Sequence, residues 1–342
     1  MKKLNPVPSI FLLLFLVSWY YSGMSFTFVG NEVITRFIRD GVLVLALLIP
    51  ILAGMGINFA VTIGAISAQI GLLIIIMWQI EGITGIILAG GLSLGIAFVM
   101  GWIIGIVLNR VKGKEMITTI IIGFLGNGIY QFIFLVGYGT FIKAINTEIM
   151  LSRGVGVRNM VDLAAYRNIL DNIWVIHLGG ISIPLFMIMV VLSFCLVVTY
   201  IINTRMGQKF KAVGEDMDKS AAIGIDVDRT RIQAMIISTI IACIGQLIYL
   251  QNIGMLNVYT AHLNSDIFSA AALLAGGASV KSARVRHAIL GVFLFHSLFI
   301  VSPQAGQNLF GNAALGEYFR SFIAYGTIAI ALIFNVRDKA PD

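Results

Sequence analysis

The chain has 342 residues, 58% of them hydrophobic and 11% charged, with a mean hydropathy of +0.95. A soluble domain of this size needs far more polar surface, so the composition excludes an ordinary water-soluble fold and places the chain in lipid. The net charge of +7 has no contiguous basic face behind it, which excludes nucleic acid as a partner.

Apolar stretches of bilayer-crossing length recur at 7–22, 41–57, 60–79, 83–108, 116–137, 183–202, 232–251, 267–279, 287–301 and 318–335. They predict a single transmembrane domain over 1–342, an all-α polytopic helical bundle of about ten spans with broken helices. Trp19, Tyr20 and Tyr21 form no small-residue cleavage site after the first stretch, so 7–22 is read as a span.

In 53–71, Asn58, Thr62, Ser67 and Gln69 interrupt an apolar run that carries glycines and no charge. That pattern predicts a broken or re-entrant helix whose unwound backbone faces a cavity. Gly91, Gly95, Gly101 and Gly105 follow at small-residue spacings and predict a tightly buried helix, as do Gly123, Gly126 and Gly128 for the next one. The long connection 138–182 contains the amphipathic piece from Met160 to Trp174, which predicts a helix lying on the outer face. A second short apolar run, 268–282, ends in Gly276-Gly277 and predicts a tilted or half-inserted element.

Lysine and arginine retention sets the orientation. With the amino terminus inside, sixteen of the 23 basic residues are cytoplasmic, while Arg36, Arg39, Lys143, Arg153, Arg158, Arg167 and Arg320 fall outside. The segment 138–182 is then extracytoplasmic and 203–231 cytoplasmic. Within the latter, KSAAIGI reads as a short helix started by Asp216 or Asp218 and stopped by Gly224.

Chemistry within the chain is absent at the level of motifs. There is no phosphate loop, so the chain does not itself hydrolyse ATP, and no metal-ligand spacing. Cys195 and Cys243 fall inside apolar spans and read as buried thiols. Asp40, Glu81, Glu115, Asp266 and Glu317 all fall at predicted span ends, which argues against an ion-coupled secondary transporter; a non-transporting scaffold subunit is the other rival. A solute path through lipid should be polar without permanent charge, and Asn58, Gln69, Asn127, Gln131, Gln246 and Asn252 meet that requirement. Phe59, Phe124 and Tyr130 lie near them in sequence and offer stacking faces. His296, in an apolar span, reads as a helix-to-helix hydrogen bond.

Gly214-Glu215, followed by the pair Ala221-Ala222, then Gly224-Ile225 and Arg229, closely resembles the cytoplasmic coupling motif of bacterial ABC importer permeases of the ribose and branched-chain amino acid type. The stretch from Gly54 to Gly71 and the later AALLAGGAS fall where that family carries its glycine-rich membrane segments. The resemblance covers about residues 40 to 335. It implies a multi-pass inner-membrane permease that couples to its ATPase through Lys209, Lys211, Gly214, Glu215, Asp218, Ala221, Ala222, Gly224 and Arg229. It also implies a second permease copy or similar permease, ATP-binding cassette subunits that bind ATP and Mg, and an extracytoplasmic solute-binding protein. The chain itself would need no cofactor. Ser67 stands where the sugar permeases carry an acid, which weakens a sugar specifically and leaves nucleosides and other small polar solutes open.

Overall fold

The computed structural model describes residues 6–312, 314–322, 325–326 and 329. Twelve helices lie between Val7 and Phe310, α1 (Val7–Ser22), α2 (Phe26–Leu45), α3 (Leu48–Leu52), α4 (Val61–Met77), α5 (Gly82–Arg110), α6 (Glu115–Phe132), α7 (Leu185–Asn203), α8 (Arg205–Glu215), α9 (Met217–Ala222), α10 (Val227–Ile253), α11 (Ser265–Ala275) and α12 (Val285–Phe310), and residues 314–322 are helical as well. Four short strands, β1 (Met160–Asp162), β2 (Val175–Leu178), β3 (Ile181–Pro184) and β4 (Met255–Asn257), form two antiparallel pairs, β1 with β4 and β2 with β3.

Five described helices are long and apolar enough to cross a membrane: α5, α6 with the wide turn Ile133–Gly137 that extends it, α7, α10 and α12. The expectation of about ten is corrected by what happens to the others. The helices α1, α4 and α11 are apolar but shorter. The predicted span 41–57 is divided between the end of α2, the single turn of α3 and an irregular stretch. Most of 318–335 lies outside the described residues. Hydropathy counts apolar residues without regard to whether the backbone stays helical, so broken elements were counted as whole ones.

The break expected in 53–71 falls at 53–60. Gly54 and Gly56 adopt φ of +76° and +72°, a region open to glycine without a Cβ penalty. Helix α4 is regular past Gln69, so that residue does not sit at unwound backbone. The outer helix over 160–174 does not form: Met160–Asp162 pairs with β4, and Asp162 then accepts the Ala164 N–H at 2.9 Å to start a series of turns. The long-range strand pairing overrides the local helical periodicity.

Helix α10 is buried on several sides and packs along α5, α4 and α2. A Cβ at Gly101 or Gly105 would approach the Cα of Ile236 or Ile232 at 2.8 Å, whereas Gly91 and Gly95 face open space. Only the second half of the predicted glycine face is therefore a packing face. Helices α5, α6 and α7 turn large apolar side chains outward, among them Phe98, Phe124 and Leu196, as helices that meet lipid do.

Arg36 and Arg39, expected outside, lie within α2 with their guanidinium groups over the Phe299 and Tyr249 rings at 5.4 and 5.2 Å. Asp40 likewise lies inside α2, and His296 Nε2 stands 3.5 Å from its Oδ2. His296 thus joins α12 to α2, as a helix-to-helix contact. The placement of Asp40 at a span end is corrected, because α2 begins at Phe26 rather than at residue 41.

Candidate functional site

Helix α8 is amphipathic, with Gly207, Phe210 and Val213 turned to the bundle. Asp216 then caps α9: its Oδ1 accepts the N–H groups of Asp218 and Lys219, each at 3.0 Å. The Lys219 N–H, with the Lys219 ammonium next, holds this exposed carboxyl below the usual carboxylate range. Gly224, at φ +85°, ends the helix in the left-handed conformation expected of it, with its N–H donated to the Ala221 carbonyl at 3.0 Å. Ser220 points inward and is buried, while Ala221, Ala222 and Ile223 face away from the bundle, Ile223 with 75% of its surface exposed.

Lys209, Glu215, Asp218 and Arg229 are exposed and Lys211 is half-buried. None of the five forms an ion pair among the described residues; the local pairs are Lys219 with Asp216 at 3.1 Å and Lys112 with Asp228 at 2.6 Å. The segment therefore presents a small apolar tip ringed by unpaired charge.

Two contacts tie this segment to the bundle. Gly214 lies backbone to backbone on the break between α3 and α4: a Cβ at Gly54 would stand 2.8 Å from the Gly214 Cα, and one at Gly214 would overlap the Leu52 carbonyl oxygen. Arg231, fully buried, pairs through Nη2 with Glu115 Oε1 at 2.7 Å and with the Leu108 carbonyl at 3.2 Å, and through Nε with Asn109 Oδ1 at 2.9 Å. Its Nη1 approaches Met217 Sδ at 3.5 Å. One guanidinium thus links α9 and α10 to the ends of α5 and α6. A buried ion pair with its remaining donors satisfied resists loss of either partner by about 3–5 kcal/mol.

The second cluster lies inside the bundle. After β4 the chain dips back, and His262, fully buried, stands between α4 and α6. The hydrogen-bond pattern orients the Gln69 amide so that its nitrogen donates to His262 Nδ1 at 3.0 Å and its oxygen accepts the His262 N–H at 3.1 Å. His262 Nε2 meets Asn127 Oδ1 at 2.7 Å. These partners assign a neutral imidazole that donates from Nε2 and accepts at Nδ1. Asn127 Oδ1 also accepts from Gln131 Nε2 at 3.1 Å, Gln131 reaches the Tyr259 carbonyl at 3.4 Å, and Gln246 Nε2 donates to the Ala261 carbonyl at 3.1 Å. Four predicted path residues, Gln69, Asn127, Gln131 and Gln246, therefore converge on the loop 259–262.

Asn58 and Asn252 do not join them. Asn58 accepts the Ala60 N–H at 2.9 Å and donates to Ser238 Oγ at 3.1 Å, fixing the start of α4 on α10. Asn252 donates to Asp171 Oδ2 at 3.1 Å, next to Gln251 at 3.0 Å, and so clasps the 138–182 connection to the end of α10. Burial raises the Asp171 carboxyl above the usual range, with the Asn252 and Gln251 hydrogen bonds acting against it.

Beside the cluster is a cavity of about 340 Å³ whose lining includes Phe59, Thr62, Phe124, Asn127, Leu263 and Asp266. Two of the three aromatic residues singled out in the sequence, Phe59 and Phe124, line it. Tyr130 instead packs edge-on against the His262 ring at 5.2 Å. His262 and Arg231 were both missed in the sequence. His262 is one of four histidines and follows an apolar span inside a polar run, a signal available but unread; the partner of Arg231 is 116 residues away, and no local pattern marks it.

The chain belongs to the family described as branched-chain amino acid transport system / permease component, whose model matches residues 14–332. It is a transport permease rather than an enzyme, the multi-pass inner-membrane subunit of an ABC importer for a polar solute. Family membership implies an assembly with an ATPase and a solute-binding protein. No curated protein and no solved structure matches the chain.

Proposed function

We propose that this chain conducts a sugar or a nucleoside past the Gln69, Asn127 and His262 cluster, driven by ATPase subunits that grip α9. The observation that carries the reading is the backbone contact of Gly214 with Gly54. It joins the family's coupling segment to the break from which α4 runs up to Gln69, so a push on α8 and α9 reaches the cluster through one helix. The cavity supports the solute class: the Phe59 and Phe124 rings suit the flat face of a sugar or base, and Asn127, Thr62 and Asp266 supply hydrogen-bonding groups for hydroxyls. Phe124 is 72% exposed, which leaves that side of the cavity for a second permease copy or a similar permease to close. The connection 138–182, at the other end of α7 from α8, is the surface for the extracytoplasmic binding protein.

The test is uptake by the reconstituted complex with its ATPase and binding protein, scanned over nucleosides, pentoses, hexoses and branched-chain amino acids. ATP-dependent uptake of a nucleoside or sugar that persists when the proton gradient is collapsed is expected. Uptake of branched-chain amino acids alone would overturn the solute class.

A further inference from the structure

At the α8 end of the bundle a separate cavity of about 650 Å³ opens between the end of α7, α8 and the turn leading into α12. Lys211, Lys281, Arg284 and Arg286 line it, with Glu215 as the one acid. None of the four cations forms an ion pair among the described residues; Arg286 Nε donates only to the neighbouring His287 Nε2, at 3.4 Å. Retention of basic residues on one side of a membrane accounts for their side, but not for their convergence from α8 and from 281–286 on one hollow. Arg284 immediately precedes α12 and gives it no side-chain cap, which adds the positive end of a long helix to the same rim.

The shape of the hollow selects the ligand. Its wall climbs α7 from Asn203 to Thr199, a rise of about 6 Å at 1.5 Å per residue. That brings it level with Tyr200, with Leu196 about 4.5 Å further along the helix; the two expose 73% and 71% of their surface on a helix turned toward lipid. A charged hollow bordered on the same helix by exposed apolar side chains has a place for an anionic head and, beside it, for an acyl chain. An acidic protein loop or a free anion would use only the first.

We propose that this cavity binds the phosphate headgroup of an anionic phospholipid from the adjoining leaflet, with its chains along Leu196 and Tyr200. Basic pockets between membrane helices recognise such headgroups, and each cation near the surface strengthens the attraction about fivefold. Because Lys211 and Glu215 belong to α8, the lipid would brace the segment that docks on Gly54.

Native mass spectrometry of the intact complex, exposed to equal amounts of phosphatidylglycerol, phosphatidylethanolamine and phosphatidylcholine, tests this. The wild type is expected to retain phosphatidylglycerol at least tenfold over the other two. The triple variant Lys281→Gln, Arg284→Gln, Arg286→Gln should lose that preference, while Lys114→Gln with Lys143→Gln, equally basic sites away from the cavity, should keep it. Should the triple variant not assemble, Lys281→Gln alone should lower the preference about fivefold, and phosphatidylglycerol should raise the thermal midpoint of the wild type more than phosphatidylethanolamine does. Equal retention by wild type and variant overturns the proposal. So does displacement by millimolar inorganic phosphate with no lipid carried through purification, which would make the ligand a free anion. Loss of the ATPase from the triple variant with lipid retention unchanged would assign the cations to subunit docking instead.

Discussion

The two clusters differ in how they are satisfied. The segment of α8 and α9 offers an exposed apolar tip at Ala222 and Ile223 and leaves Lys209, Glu215, Asp218 and Arg229 without ion-pair partners in the described residues. The cluster around His262 uses both ring nitrogens and is closed by Gln69, Asn127 and Gln131. The first has the character of half an interface, which under the proposed coupling the ATPase completes. The second is complete within this chain, so opening it for a solute means breaking hydrogen bonds. Under the proposed coupling, the loose end is the one gripped and the latched end the one released.

The largest effect is expected where the α8 and α9 segment is tied to the bundle by the buried ion pair. Arg231→Ala leaves Glu115 buried without its partner and should destabilise the purified protein by about 3–5 kcal/mol. Replacing both with Arg231→Met and Glu115→Leu should restore much of the thermal midpoint, since no charge is then stranded. Equal loss in the single and double variants would remove the ion pair as the cause. Next in size, Ala222→Trp at the exposed tip and Gly214→Val at the backbone contact should each abolish uptake. Ala222→Trp should leave the amount of folded protein unchanged, because nothing among the described residues covers that face; normal uptake by it would detach α9 from coupling.

Within the latched cluster, His262→Ala and Asn127→Ala each remove a buried partner worth about 1–3 kcal/mol, and uptake at fixed complex abundance should fall about tenfold. Asn58→Ala should instead lower the thermal midpoint and leave uptake per folded complex within about twofold, since its hydrogen bonds hold α4 on α10. The reverse pattern would exchange their roles. The smallest effect is expected at Asp171. Its folded carboxyl titrates above the unfolded value, so its contribution to stability is fully present below the unfolded pKa and is lost as pH rises through the folded one. Asp171→Asn should flatten the upper part of the stability profile over that window; an unchanged profile would mean that Asp171 does not set it.

Sequence reached these regions to different depths. The helix at α9, its start at Asp216 or Asp218 and its Gly224 stop were legible, because capping and the left-handed stop are local chemistry written in adjacent residues; the choice of Asp216 comes from the structure. The break before α4 was legible as a glycine-rich polar run, although not its position, since Gly54 and Gly56 rather than Gln69 carry the left-handed backbone. The β1 and β4 pairing was not legible: Met160 and Asn257 are brought together by the path of the whole chain. The same holds for the latch, whose members come from residues 69, 127 and 262. Listing uncharged polar residues gathered Gln69 and Asn127 together with Asn58 and Asn252, and composition cannot separate a cluster member from a cap or a clasp.

If a push at Gly214 reaches His262 along α4, cysteine accessibility in the cavity follows the nucleotide state. In a background with Cys195 and Cys243 replaced by alanine, Leu263→Cys, which lines the cavity and is 39% exposed, reports on the latch. Labelling of the reconstituted complex should change severalfold between nucleotide-free and ATP-trapped states, and Gly214→Val should abolish that change with the ATPase still bound. A nucleotide-dependent change that persists in Gly214→Val would mean that the push does not travel through this contact.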